Sequence, residues 1–169
     1  MVNNYYGGIY SSDIGDIGIM THKDKLIYVE LFKNNMNTFH KYDTYSNLCE
    51  DNVSKKAANY IMQYLLGINT ICDIALAPNG SNFQKSVWRT LLQIPCGETR
   101  SYKDIAIMLK NPNAMRAVGS ACAKNPILFF IPCHRVVCSG GKIGGYRAGL
   151  DTKQYLLSLE KDSIKNSLY

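Results

Sequence analysis

The sequence predicts an α+β protein: a small antiparallel sheet with one helix, followed by a mainly helical C-terminal half that holds a helix-turn-helix. Three observations carry this expectation. Strand formers cluster around a polar turn near residue 24, apolar residues recur at helical spacing from residue 54, and two short helical stretches flank Asn111-Pro112. The 169 residues suffice for one domain or two small ones, and 46% hydrophobic with 19% charged residues is the composition of a chain that packs a core.

Residues 15–32 read as a β-hairpin. Ile17 and Ile19, then Leu26, Tyr28, Val29 and Leu31, flank the turn His22-Lys23-Asp24-Lys25. Residues 33–53 are polar and Asn-rich, which predicts loops and at most a weak strand. Residues 54–66 read as a helix with Ala57, Ala58, Ile61, Met62, Leu65 and Leu66 on one face and Gly67 as its stop. Residues 68–81 read as a connection punctuated by Pro78-Asn79-Gly80, so the predicted domains are 1–78 and 79–169.

A second helix is expected over 82–93, with Phe83, Val87 and Leu91 inward, Trp88 as a further inward candidate, and Pro95 beyond its end. Ser101 and Asp104 have capping-box spacing ahead of Ile105-Ala106, and that helix should reach Lys110. Asn111-Pro112 breaks it, with Pro112 placed in the first turn of the next helix, 113–124. Ala114, Ala117, Gly119, Ser120, Ala121 and Ala123 make that helix small-sided, suited either to tight helix packing or to close approach to DNA. Asn125-Pro126 closes it.

Charge is unevenly spread. Residues 1–81 carry a net −2 and residues 82–160 a net +7, out of +6 for the chain. A basic half suits a polyanion, although a solvated basic surface would read the same way. The first ten residues have neither a basic n-region nor an apolar h-region, and no apolar run could span a bilayer. The expectation is a soluble cytoplasmic protein without membrane partners. Its six cysteines, with no CxxC pair and no zinc-like spacing, should be free thiols.

Pro132-Cys133-His134-Arg135-Val136-Val137 is the segment with chemistry in it. The apolar run before Cys133 should raise its thiol pKa, so a nucleophilic role needs a base. His134 is the obvious one. Neighbours on a strand point apart, so the pair must sit in a bend or act through a water. Adjacency alone leaves an inert buried thiol open.

The strings FQKSVWRTLLQIPCGETRSY, RAVGSACAKNP, IPCHRVV and GGYRAGLDTKQYLLSLE together resemble the O6-alkylguanine-DNA alkyltransferase family over residues 83–160. The resemblance implies an RNase H-like N-terminal sheet domain and a DNA-binding catalytic domain. It also implies double-stranded DNA carrying alkylated bases as partner, action as a monomer without cofactor or metal, and a nuclear location in a eukaryote. It further implies that Cys133 accepts the alkyl group, that His134 takes the thiol proton through a water, that Glu160 orients His134, and that Asn125 braces the active-site turn.

By the same resemblance, Tyr102 crowds a phosphate and helps rotate the target nucleotide, and Arg116 fills the gap in the base stack. Lys103, Asn111 and Ser139 touch the DNA backbone, while Cys122, Val136, Tyr146 and Arg147 surround the substrate, with backbone at Cys133 and Val136 reading the guanine edge. Departures at Cys122, Ala148 and Leu128-Phe129-Phe130 predict a narrowed pocket. A non-catalytic damage sensor and a helix-turn-helix regulator are the alternatives. The first lacks the acceptor cysteine, and the second needs more base-reading side chains than Arg116 alone.

Overall fold

The computed structural model describes residues 5–33, 44–45, 47–68 and 72–166. Two compact units emerge, one comprising residues 1–78 and 126–128, the other 79–125 and 129–169.

In the first unit, β1 (Tyr5–Ser12), β2 (Gly15–His22) and β3 (Lys25–Phe32) form an antiparallel sheet in that order. Lys23 and Asp24 join β2 to β3, both with positive φ (50° and 56°). Such a turn matches the right-handed twist of the strands it connects. Pairing slips between Met20 and Thr21, which face Tyr28 and Leu26, so Ile27 is bulged out. The bulge explains why Leu26 and Val29, three apart, are both fully buried. The strand β1 was not expected. Two adjacent glycines, Gly7 and Gly8, interrupt its pattern, and Gly7 lies so close to the Ile19 carbonyl that no side chain fits there.

Helix α1 (Asn52–Leu65) packs on all three strands. It starts two residues before the expected Ser54, because Asp51 is the cap: Asp51 accepts from the Ser54 amide at 2.7 Å while the Ser54 hydroxyl accepts from the Asp51 amide at 3.0 Å. It ends as expected at Gly67, which at φ 75° lets its own amide reach Tyr64 and the Ile68 amide reach Gln63. Leu66, expected on the inner face, is 72% exposed, since the chain has already left helical geometry at this cap. Most of the predicted 33–53 loop lies outside the described residues.

The second unit is mainly helical. Helix α2 (Asn82–Leu91), capped by Ser81 and Gln84, buries Val87, Trp88 and Leu91, and Trp88 donates its indole N–H to the Ala121 carbonyl at 2.9 Å. Strand β4 (Arg100–Ser101) runs parallel to β5 (Val136–Val137). Ser101 then caps α3 (Tyr102–Met108), with Asp104 returning the bond at 2.8 Å. Helix α4 (Met115–Ala123) follows. It starts later than expected, because Pro112 lies in a turn closed by Ala114 N–H to Asn111 at 3.0 Å, outside the helix. Helix α5 (Leu150–Asn166) ends the described chain. Among the described residues, no helix is long and apolar enough to cross a membrane.

Candidate active site and DNA-facing surface

Cys133 opens a single 3-10 turn, Cys133–Arg135, so it and His134 do sit in a bend. Cys133 is 3% exposed and His134 fully buried. Upstream, Phe129 holds a positive φ of 68°, a strained setting for an aromatic residue. Asn125 braces this loop. Its side-chain amide donates to the Ile131 carbonyl at 2.8 Å and reaches the Cys133 sulfur at 3.0 Å.

Behind the turn lies a buried ionic cluster. His134 Nε2 is 2.8 Å from Glu160 Oε1. Arg135 donates Nε to both oxygens of Glu160 at 3.0 Å and Nη2 to Oε1 at 2.8 Å, while its Nη1 reaches the Ile94 carbonyl at 2.6 Å. The Gly97 amide donates to Oε2 at 2.9 Å. Burial pushes the Glu160 carboxyl up, but the hydrogen bonds and charges of His134 and Arg135 outweigh it and hold the group far below the usual carboxylate range. Burial lowers the His134 pKa, against the pull of Glu160. A neutral imidazole beside a carboxylate donates from Nε2, which makes Nδ1 the ring atom with a lone pair to accept a proton.

Burial raises the Cys133 thiol pKa, opposed by the Asn125 hydrogen bond and by the positive charges of Arg147 and Lys153. Burial thus favours the neutral thiol over the thiolate. The same environment pushes Cys122 up to about 12, through burial and then the neighbouring Cys133.

Cys133 opens into a pocket of about 250 Å³ lined by Tyr102, Gly119, Cys122, Ala123, Gly145, Tyr146 and Arg147. Strand β4 delivers Tyr102 to it. The ring lies 3.7 Å from where a side chain on Gly119 would begin, and its hydroxyl 3.1 Å from the corresponding point on Gly144. Gly144 also has a positive φ of 67°, so any other residue there would be strained and would crowd Tyr102. Leu128, Phe129, Phe130 and Ala148 do not line the pocket, so the expected narrowing by these residues is not found. The three apolar side chains are buried elsewhere, and Ala148 instead presents its carbonyl to Thr152 at 2.8 Å.

The remaining expected residues divide. Cys122, Tyr146 and Arg147 line the pocket with Cys133, whereas Val136 is buried and absent from the lining. The amides of Cys133 and Val136 are already donated, to Ile131 and Cys133 carbonyls, so backbone reading of a base there would fall to carbonyl oxygens. Lys103, Asn111, Arg116 and Ser139 are exposed. So are Ala117, Ser120 and Ala123 of α4, which gives that helix a small-sided outer face with Arg116 at its start.

Two residues escaped the sequence reading. Arg135 holds Glu160 in place. Lys153, fully buried, donates Nζ to the Val136 carbonyl at 2.6 Å and to the Gly145 carbonyl at 3.2 Å, tying β5 to the pocket rim. Arg135 stood inside the recognised PCHRV string, and Lys153 follows Thr152 on the buried face of α5. The spacing of Lys153 among apolar positions was the available signal.

Fold and site thus define a helix-turn-helix unit built around a buried thiol with a buried histidine next to it in the same turn. A family model, the DNA binding domain of 6-O-methylguanine DNA methyltransferase, matches residues 82–162. A methylated-DNA–protein-cysteine methyltransferase of Methanosarcina mazei is 49% identical over 111 residues, 66% of this chain and 70% of its own length. One from Methanosarcina acetivorans is 41% identical over 156 residues, 92% of this chain and 97% of its own. The crystal structure of Mycobacterium tuberculosis OGT in complex with DNA superposes with a TM-score of 0.79 at 36% identity, covering 94% of this chain and 93% of that one. The chain belongs to the methylated-DNA–protein-cysteine methyltransferase family.

Proposed function

We propose that this chain repairs DNA by direct reversal, moving a methyl or larger alkyl group from O6 of guanine, and from O4 of thymine, onto the sulfur of Cys133. The observation that carries the proposal is the pairing of Asn125 with the Cys133 sulfur at 3.0 Å beside the His134–Glu160 contact at 2.8 Å, with Cys133 itself in the wall of a base-sized pocket.

The damaged nucleotide leaves the duplex, at a cost of about a few kcal/mol, and enters the pocket. Tyr102 presses on the backbone and Arg116 takes the vacated place in the stack. Lys103, Asn111 and Ser139 hold phosphates, which suits a protein that must work at any sequence. A water passes the thiol proton to Nδ1 of His134, and Glu160 stabilises the resulting imidazolium. The sulfur attacks the alkyl carbon, the carbon–O6 bond breaks, its electron pair stays with the base, and the proton taken from the thiol passes on to that base, which restores neutral His134. Asn125 steadies the developing thiolate.

The product is a thioether, outside the reversible exchange chemistry of thiols, so each chain acts once. The protein works as a monomer on double-stranded DNA, with binding and chemistry both in residues 79–169. To test acceptor identity, a duplex with a methyl-labelled O6-methylguanine is incubated with the protein and the label mapped by peptide mass. The label is expected on Cys133 alone, with Cys133→Ala binding DNA but taking no label. Label on any of the other five cysteines contradicts the assignment.

A further inference from the structure

We infer that Arg147 makes the alkyl pocket selective for O6 adducts that end in a carboxylate, such as O6-carboxymethylguanine, over neutral adducts of the same size. The inference deepens the transfer reaction proposed above and rests on it.

Arg147 is the one lining residue of this pocket that carries a formal charge, and it lies close enough to Cys133 to act on the sulfur electrostatically. The other polar groups of the lining, the phenols of Tyr102 and Tyr146 and the Cys122 thiol, are held neutral by burial. The second cation near the sulfur, Lys153, already donates to the carbonyls of Val136 and Gly145, so it contributes field and not contact. The charge of Glu160 reaches Tyr146 of the lining, and both its oxygens are taken up by His134, Arg135 and Gly97. A guanidinium has five N–H donors, so Arg147 can hold partners of its own and still offer a fork to a ligand.

The sign of the selectivity follows from solvation. A carboxylate entering a closed pocket loses its water, and without a partner it would be rejected in favour of a neutral group. A guanidinium replaces that water with charge-assisted, bidentate hydrogen bonds. The chemistry is unchanged: the sulfur bonds to the methylene carbon, the methylene–O6 bond breaks, its electron pair goes to the guanine, and the thiol proton ends on the guanine. The product is S-carboxymethylcysteine at position 133. Arg147 also acts on the sulfur itself whatever the adduct, so only a comparison between adducts isolates the selectivity.

Duplexes carrying O6-carboxymethylguanine, its neutral amide isostere O6-carbamoylmethylguanine, or O6-methylguanine are mixed with excess full-length protein, and single-turnover rate constants are measured. The unaltered chain is expected to favour acid over amide by about tenfold, equivalent to roughly 1.4 kcal/mol. In Arg147→Met the acid-to-amide ratio should fall to one or below, and Arg147→Lys should lie between. A ratio of one or less in the unaltered chain overturns the inference, whether or not the variants fold. An undiminished ratio in Arg147→Met overturns it too. If the unaltered chain takes methyl but shows no acid preference, only this inference fails. If it takes no methyl, the transfer reaction beneath it fails as well.

Discussion

The two units bury different kinds of polar side chain. Among the described residues of the first, the buried polar side chains are Thr21, whose hydroxyl donates to the Asp51 carboxylate at 2.7 Å, and Ser54, whose hydroxyl bonds the Asp51 backbone at the cap of α1. The second also buries two hydroxyls, Thr90 and Thr152, but adds Asn125, His134, Lys153 and Glu160, all sealed from solvent within one neighbourhood. Hydroxyls can be satisfied by local capping at little cost, whereas buried ions need a dedicated set of partners. The first unit is therefore built as a scaffold, and the second spends its packing on holding charges beside one sulfur. Damage to the two interiors should have different consequences.

The sharpest break of that contrast is Glu160→Ala. It leaves Arg135 and His134 without their shared anion, and stability should fall by about 3–5 kcal/mol. The rate constant per folded molecule should fall by more than about tenfold, because the base loses its orienter. Urea unfolding and single-turnover transfer on the same sample report both. A variant that loses stability yet transfers at the original rate would reduce the cluster to packing.

Ile61→Ala, in the apolar interior under the sheet, is the counterpart. It should cost about 2–5 kcal/mol of stability and leave the rate constant per folded molecule within about twofold. A large drop in rate would erase the distinction between the units.

The ionic cluster should also show in the pH dependence of stability. His134 and Glu160 both have folded pKa values below their ordinary ones. The unfolded chain therefore binds more protons as pH drops, first near about 6.5 for histidine and then near about 4.3 for glutamate. Stability should fall as pH is lowered from 8 to 4, and Glu160→Gln should flatten the acid part of the curve. A urea midpoint that holds level or rises toward acid would contradict the assignment.

The smallest expected effect is on the outer face of the second unit. Lys103→Ala should weaken binding to undamaged duplexes of any sequence by a similar factor and reduce the salt slope by about one. A sequence-dependent loss would mean that Lys103 reads bases.

The contrast also governs what could be read in advance. Local signals with a backbone cause were visible: the Lys23-Asp24 turn, the stop at Gly67 and the Ser101–Asp104 cap were all expected and found. Strand β1 was missed because Gly7 serves close approach to β2, and a glycine pair reads as loop. Asp51 was missed as a cap because its partner at the third helical position is a serine and not an acid. In the site, Cys133, His134, Asn125 and Glu160 were reached through resemblance. Lys153 was not, because its adjacent residues are polar and its helical spacing to Leu156 was outweighed by its charge until its two carbonyl partners are seen. Pocket width was misjudged at Leu128-Phe129-Phe130, since bulk in the sequence does not say which way a side chain points.

The most direct measurement is a titration of a fixed amount of protein with excess O6-methylguanine duplex, followed by intact mass. The account predicts that repair stops at one lesion per chain and that the mass rises by a single methyl, carried by Cys133. Repair continuing past one equivalent, or a plateau with Cys133 unmodified, would contradict it.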